Sequence, residues 1–291
     1  ATAWRVRYGA QISANRYDLA ADSADRIVQH AEAAGDVLQQ RRGATGYALA
    51  MLLGSTPVVE ALERAESLIE AVEGDRRTQS VIMLFVAQLA AMDGQIDRAR
   101  ETYRQARDML EELGKGVLAA STSTDAAPVE ILAGDLDAAE RMLRTDDAAL
   151  EALGENYLRS TVGGLLARVL VMRGEFAEAE RVAERTRSLA AADDVDAQVL
   201  WRSSLARCYA AQGRTAEAIT LATEAMALTN DVAAPILRAE ALTDLAVVLA
   251  AAGREDEARA RFVEAVAMHE AKGNRRGADE LRKLAGSLIG S

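Results

Sequence analysis

Residues Val199 to Met226 read Val-Leu-Trp-Arg-Ser-Ser-Leu-Ala-Arg-Cys-Tyr-Ala-Ala-Gln-Gly213-Arg-Thr-Ala-Glu-Ala218-Ile-Thr-Leu-Ala-Thr-Glu-Ala225-Met. Leu200, Trp201, Leu205, Ala206, Cys208 and Tyr209 recur at helical spacing before Gly213, and Ala218, Ile219, Leu221, Ala222 and Ala225 do so after it. Gly213 stands where the first helix must stop and the chain must reverse, a place that demands positive φ. Ala218 is small where the two helices cross, because a larger side chain would hold the backbones apart.

The unit recurs along the chain. Gly94 with Ala99, Gly134 with Ala139, Gly174 with Ala179 and Gly253 with Ala258 repeat the spacing, and the glycines lie 40, 40, 39 and 40 residues apart. Gly54 extends the series backwards by 40 residues and Asn15 by a further 39, Asn being the usual substitute for Gly at positive φ. Acidic residues such as Asp135, Glu175 and Glu255 open the second helices, where the helix dipole favours them. One such hairpin cannot bury its own apolar faces, so neighbours must stack. The expectation is an all-α protein. It is a right-handed α-solenoid of seven helix-turn-helix repeats in one domain over 1–291, turning at Asn15, Gly54, Gly94, Gly134, Gly174, Gly213 and Gly253. A capping helix over 274–291 buries Ala278, Leu281, Leu284, Ala285 and Leu288 and turns Arg275, Arg276, Asp279, Glu280, Arg282 and Lys283 to water.

The pattern resembles the tetratricopeptide repeats, on Ala206, Tyr209, Gly213, Ala218 and Ala225 and again on Ala246, Gly253, Ala258, Phe262 and Ala265. Its period of about 40 in place of the usual 34 looks like the longer-helix, MalT-type subgroup of bacterial regulators. The segments 132–141, 193–202 and 271–274 are similar to the C-terminal repeat region of class III nucleotide cyclase–ATPase fusions and LuxR-type regulators. The resemblance implies a sensor or scaffold arm of a larger signalling protein with an ATPase core and a cyclase or DNA-binding output. It also implies that the first helices line a concave groove, with one groove-facing position six residues before each Gly: Gln88, Pro128, Arg168, Arg207 and Val247.

Composition removes other functions. With 34 Lys+Arg against 45 Asp+Glu the net charge is −11, and only 4% of residues are aromatic, so neither the basic surface nor the stacking platforms of a nucleic-acid binder are expected. The longest apolar stretch, Val81 to Met92, is too short to span a membrane and contains Gln88. The one cysteine, Cys208, excludes an internal disulfide framework and fits a reducing cytoplasm. No initiator Met begins the chain, which reads as a piece of a longer protein. No cap precedes Trp4, Val6, Tyr8 and Ile12, so that edge is expected to pack against an upstream domain.

Nor is a catalytic constellation legible. Gly114-Lys115-Gly116 lacks the spacing of a phosphate-binding loop, and His30 and His269 sit in different units with Cys208 in a third, so no cofactor or metal is expected. Asp193, Asp194 and Asp196, like Asp146 and Asp147, read as helix caps; Trp201 and Cys208 read as core; Glu178, Arg181, Glu184 and Arg185 read as a solvated face with i,i+4 support. The candidate site is the groove. Arg168 and Arg207, with Ser203 and Thr243 a helical turn before positions 207 and 247, could clamp a carboxylate or phosphate, unless nearby acids already pair them. Gln88 and Thr124 complete the candidate list. Ser121 to Asp125 is polar where a buried first helix belongs, and Pro128 should kink it, with the hydroxyls facing the groove. The expected partner is a protein, a peptide or a small anionic effector. The alternatives are a free-standing adaptor bridging two proteins and, more distantly, an α/α-toroid enzyme, whose mark would be closure into a ring.

Overall fold

The computed structural model describes residues 2–114 and 116–289. Among them the chain is helical throughout. Seven antiparallel pairs follow one another: α1 (Thr2–Ser13) with α2 (Tyr17–Ala34), α3 (Val37–Leu53) with α4 (Val58–Ala71), and α5 (Arg76–Met92) with α6 (Ile96–Glu112). The short α7 (Gly116–Ala119) leads into α8 (Ser123–Ala133) with α9 (Leu136–Leu153). Then come α10 (Asn156–Met172) with α11 (Phe176–Leu189), α12 (Val195–Ala211) with α13 (Thr215–Leu228), α14 (Pro235–Ala251) with α15 (Glu255–Lys272), and the terminal α16 (Arg275–Ile289).

The turn residues act as their positions demand. Asn15, Gly94, Gly134, Gly174, Gly213 and Gly253 all take positive φ, and Ala99, Ala139, Ala179, Ala218 and Ala258 are completely buried at the helix crossings. Gly54 departs from this. Its φ of −80° and ψ of −166° are extended backbone, because this turn carries two extra residues and its crossing alanine is Ala61. Gly is required there for space: a Cβ would lie 2.6 Å from Asp18 Oδ1 and 2.8 Å from the Ala50 carbonyl. A second series of turns, at Gly35, Gly74, Gly114, Gly154 and Gly273, joins one pair to the next, also at positive φ. The acid after three of them caps the following helix: Asp36 accepts from Gln39 N at 3.1 Å, Asp75 from Thr78 N at 3.4 Å and Glu155 from Tyr157 N at 2.9 Å.

First helices pack on first helices (α3 on α5, α5 on α8, α10 on α12, α12 on α14), which makes them the inner wall, while each second helix lies outside its own pair. The irregular fourth pair breaks earlier than Pro128. Its first helix divides at Ala120 to Thr122, and Pro128 lies inside α8. The break is anchored by Asp146 of α9, whose Oδ2 accepts from Ser123 N at 2.8 Å at the new helix start. The hydroxyls turn back onto the chain and do not face the groove: Ser121, Thr122 and Thr124 donate to the carbonyls of Leu118, Ala119 and Ser121.

The coil overlaps itself. Lys272, at the end of α15 and 1% exposed, donates to the carbonyls of Met51, Gly54 and Thr56 at 2.7, 2.7 and 2.8 Å. Arg276 Nε donates to Leu132 O at 2.8 Å, Arg275 lies 3.4 Å from Asp93, and Ala233 N donates to Asn15 O at 2.9 Å. Each contact joins the inner-to-outer turn of an early pair to the opposite rim of a late one. The late pairs therefore stack over the early ones along the superhelix axis. This is helical overlap, not the end-to-end ring of a toroid.

α16 is accordingly more than a cap. Ala278, Leu281 and Ile289 are buried, but Leu288 is 42% exposed, and Arg276 reaches in to the fourth pair, whereas Arg275, beside Asp93, and Arg282, paired with Glu270 and Asp279, face water as expected. At the other end Trp4 is half-buried with Arg7 stacked 5.3 Å from its ring, and Val6 is 69% exposed.

Candidate functional site

Along the inner wall, α10, α12 and α14 bring Arg168, Ser203, Arg207 and Thr243 to one cavity of about 200 Å³. Val171, Met172, Leu200 and Leu284 supply its apolar walls, the last reaching in from α16, and Ser204 and Asp244 complete the lining. Close approach of α10 to α12 depends on Gly164, where a Cβ would lie 2.8 Å from Leu200 Cβ. Four of the six sequence candidates thus converge. The other two lie elsewhere on the wall around Asp125: Gln88 Nε2 donates to its Oδ1 at 2.6 Å, and Thr124 Oγ1, whose proton goes to the Ser121 carbonyl, lies 3.4 Å from its Oδ2.

The two guanidinium groups already have counter-ions. Arg168 Nη1 lies 2.9 Å from Glu240 Oε2 and 3.9 Å from Asp244 Oδ2, and Arg207 Nη1 lies 2.9 Å from Asp244 Oδ1. Burial works against the Arg168 charge, but Glu240 and Asp244 more than offset it and hold the guanidinium above its ordinary value. Each arginine commits one of its five N–H donors to these pairs. Thr243 turns its hydroxyl to the Ala239 carbonyl at 2.7 Å. Ser203 Oγ is buried and has no partner.

Acids outnumber bases along the wall. Burial pushes the Asp125 carboxyl up to about 7 against the hydrogen bond from Gln88. Asp196 is pushed up to about 6 by burial and by Asp194 and Glu240, and Glu240 is raised by burial despite Arg168. Asp244 and Asp125 each stand nine residues before a turn glycine, so that register was the available signal for two of the acids that residue-by-residue reading missed. Around the cavity alone the charges balance, two guanidinium groups, Arg168 and Arg207, standing against two carboxylates, Glu240 and Asp244.

The remaining candidates take structural places. Asp194 caps α12, accepting from Ala197 N at 3.1 Å. Asp146 and Asp147 sit in mid-helix; Asp146 caps the neighbouring α8, and Asp147 joins Arg159 and Arg185 at 3.0 and 2.9 Å. Glu178 pairs with Arg144 of the preceding second helix at 2.9 Å, so that face is a ladder between pairs in place of i,i+4 support. Trp201 is buried, with its indole N–H on Gln198 Oε1 at 3.1 Å and Arg202 4.0 Å from the ring. Burial pushes the Cys208 thiol up to about 12, outside the range of a reactive nucleophile. His269 is buried, its Nδ1 unpartnered and its imidazole pushed down to about 4 by burial and Arg168; His30 is exposed. Among the described residues no group of three His, Cys, Asp or Glu could hold a metal, and no helix is long and apolar enough to cross a membrane.

Comparison with known proteins agrees with this architecture. A tetratricopeptide repeat family model matches residues 195–271 and a second matches 162–185; the chain carries tetratricopeptide repeats there. No curated protein matches the sequence. Among solved structures the fold is similar to a Rap protein complexed with competence and sporulation factor, at TM-score 0.64 and 12% identity over 99% of this chain and 82% of that one. NprR in complex with its cognate peptide NprX is similar at TM-score 0.64 and 12% identity, over 95% and 83%. The tetratricopeptide-sensor protein of the signal transduction ATPases with numerous domains from Pyrococcus horikoshii is similar at TM-score 0.53 and 11% identity, over 94% of this chain and 48% of that one.

Proposed function

We propose that this chain is a non-catalytic binding module that takes a peptide, or a segment of a partner protein, in its concave channel. The carrying observation is the cavity between α10, α12 and α14, where the guanidinium groups of Arg168 and Arg207 line a half-open space with apolar walls and the buried Ser203 hydroxyl beside it has no partner. A solenoid needing only stability would fill such a position with an apolar side chain, since a buried hydroxyl without a partner costs about 1–3 kcal/mol. The similar structure of NprR in complex with its cognate peptide NprX supports a peptide as the guest. Balanced charges favour a guest offering both donors and acceptors, such as a peptide backbone, over a purely anionic effector.

The module acts as the sensor arm of a larger cytoplasmic signalling protein, the half-exposed Trp4 edge facing its upstream domain. Its guest biases that machine by binding one conformation better than the other. Two experiments bear on this. Peptides selected from a random display library on the wild-type chain are titrated against Ser203→Trp, which fills the cavity. Loss of binding is expected in a chain that is still folded by circular dichroism, with a thermal midpoint lowered by the overpacking; selected peptides that bind Ser203→Trp equally well refute the channel as the site. Sequencing the reading frame upstream of the Ala1 codon tests the sensor-arm role, which fails if no signalling domain is found there.

A further inference from the structure

A second, larger concavity lies at the early end of the coil, separate from the cavity just described. It encloses about 680 Å³ where the starts of α3 and α5 meet α1 and α7. Three arginines, Arg41, Arg42 and Arg77, stand around it against one acid, Asp75. Asp75 lies 3.2 Å from Arg41 and also caps α5. Arg42 and Arg77 are exposed and, among the described residues, have no carboxylate partner. In a chain of net charge −11, where most other arginines are paired, this is a local excess of two positive charges. The amino-terminal ends of α3 and α5 add their dipoles with the same sign.

Between the arginines the surface mixes the hydroxyl-bearing Thr45 and Thr78 with apolar side chains. Leu49, Val81, Leu118 and the Tyr8 ring line the space, and Leu38 at its edge is 56% exposed. The Tyr8 ring is fixed against Gly46, where any Cβ would lie 2.7 Å from the phenol oxygen. The floor is therefore preformed.

We infer that this bowl is a docking site for an acidic peptide segment, one that places carboxylates on Arg42 and Arg77 and an apolar side chain between them. Charge complementarity selects the acid, since guanidinium groups without counter-ions meet carboxylates as bidentate partners at little desolvation cost on an open rim. The volume and the leucine-lined floor select a side chain of leucine or phenylalanine size alongside it. The site stands apart from the channel, and its occupancy does not depend on that reading.

The test uses the full chain and a fluorescein-labelled twelve-residue peptide of alternating glutamate and leucine, read by fluorescence anisotropy. Its counterpart of alternating lysine and leucine is the control. Binding of the glutamate peptide alone is expected, weakening at least about tenfold between 50 and 300 mM salt. It should fall at least about tenfold again in Arg42→Glu/Arg77→Glu, whose thermal midpoint should match wild type because neither side chain has a partner to lose; Arg42→Gln/Arg77→Gln repeats the measurement if it does not. Ser203→Trp should bind as wild type does. Absence of binding at about 1 mM protein, equal binding of the lysine peptide, or binding that survives the arginine variants overturns the inference. Loss in Ser203→Trp alone places the peptide in the channel and overturns the bowl while sparing the proposed function. A twelve-nucleotide single-stranded DNA that binds the bowl more tightly than the peptide also overturns it.

Discussion

Replacing Lys272 by Met removes one ammonium and almost no volume, so its effect isolates the contact between the seventh pair and the second. The ammonium is enclosed by three carbonyls at 2.7–2.8 Å, two of them on the lengthened Gly54 turn. Asp18 holds that turn in place by accepting from Ser55 N at 2.7 Å. Hydrogen bonds to a charged donor contribute roughly 1.5–3 kcal/mol each, and three would sum to about 4.5–9 kcal/mol. Against this stands the desolvation of a buried ammonium, several kcal/mol, which Met does not suffer. The difference leaves a net loss of about 2–4 kcal/mol. In a urea titration followed by circular dichroism, with a slope near 3 kcal/mol/M, the midpoint falls by about 1 M. Small-angle scattering should show a larger radius of gyration as the overlap opens. Lys283→Met, at an exposed position paired only with Glu280, is the control and should change neither quantity. A Lys272→Met protein with wild-type midpoint and wild-type radius would refute the assignment of the contact as a structural fastener.

Further tests address other parts of the molecule. Gly94 and Gly54 should respond oppositely to Asn: at Gly94, with φ of +93° and open space around it, Asn costs less than Ala, whereas at Gly54 Asn is worse than Ala because size is the fault there. Paired urea midpoints of the four variants decide this. Gly164→Ala places a methyl 2.8 Å from Leu200 Cβ and should cost about 1–3 kcal/mol while reducing peptide affinity, since the cavity walls move with the helix spacing; unchanged stability would show that α10 and α12 can part freely. Asp125 has a folded-state value of about 7 against an ordinary 3.8, so the folded chain holds its proton more tightly and stability is lost as pH rises from about 4 through 7. Asp125→Asn should therefore gain about 1–3 kcal/mol over wild type at pH 8 and nothing at pH 4, by thermal melts at both.

The repeat was legible because the two features that make a hairpin, a turn at positive φ and a small residue at the crossing, are local and are supplied by few residue types, here Gly or Asn at the turn and Ala at the crossing. Gly213 with Ala218 reads correctly without a structure for that reason. Gly54 misled because glycine also serves where space is short, and the distance to Asp18 is not written in the turn itself. The series Gly35, Gly74, Gly114 and Gly154 was equally periodic and equally local, and would have located the joins between pairs. For the cavity, the resemblance supplied the facing positions Arg168 and Arg207, but their counter-ions come from α14, and the Glu240 partner of Arg168 is 72 residues away. Nor does the sequence show that α16 contributes Leu284, or that Asp146 starts a helix on its neighbour. These depend on how far the coil winds, which is the sum of many small angles between pairs.

That winding also changes how the chain must fold. An array whose units touch only their neighbours behaves as a one-dimensional series, able to nucleate anywhere and to fray from either end. Here Lys272 meets Met51 across 221 positions, and Ile236 packs against the core that runs through the first four pairs. Such closures raise the contact order, so the last stage of folding should be slow compared with the pairing of adjacent helices. During synthesis the early pairs can form as they leave the ribosome, but the rim of the second must wait, with the Met51, Gly54 and Thr56 carbonyls without their donor, until Lys272 has emerged. Native-state hydrogen exchange should then show the seventh pair protected as part of one unit with the second, where a simple array would show its last repeat opening first.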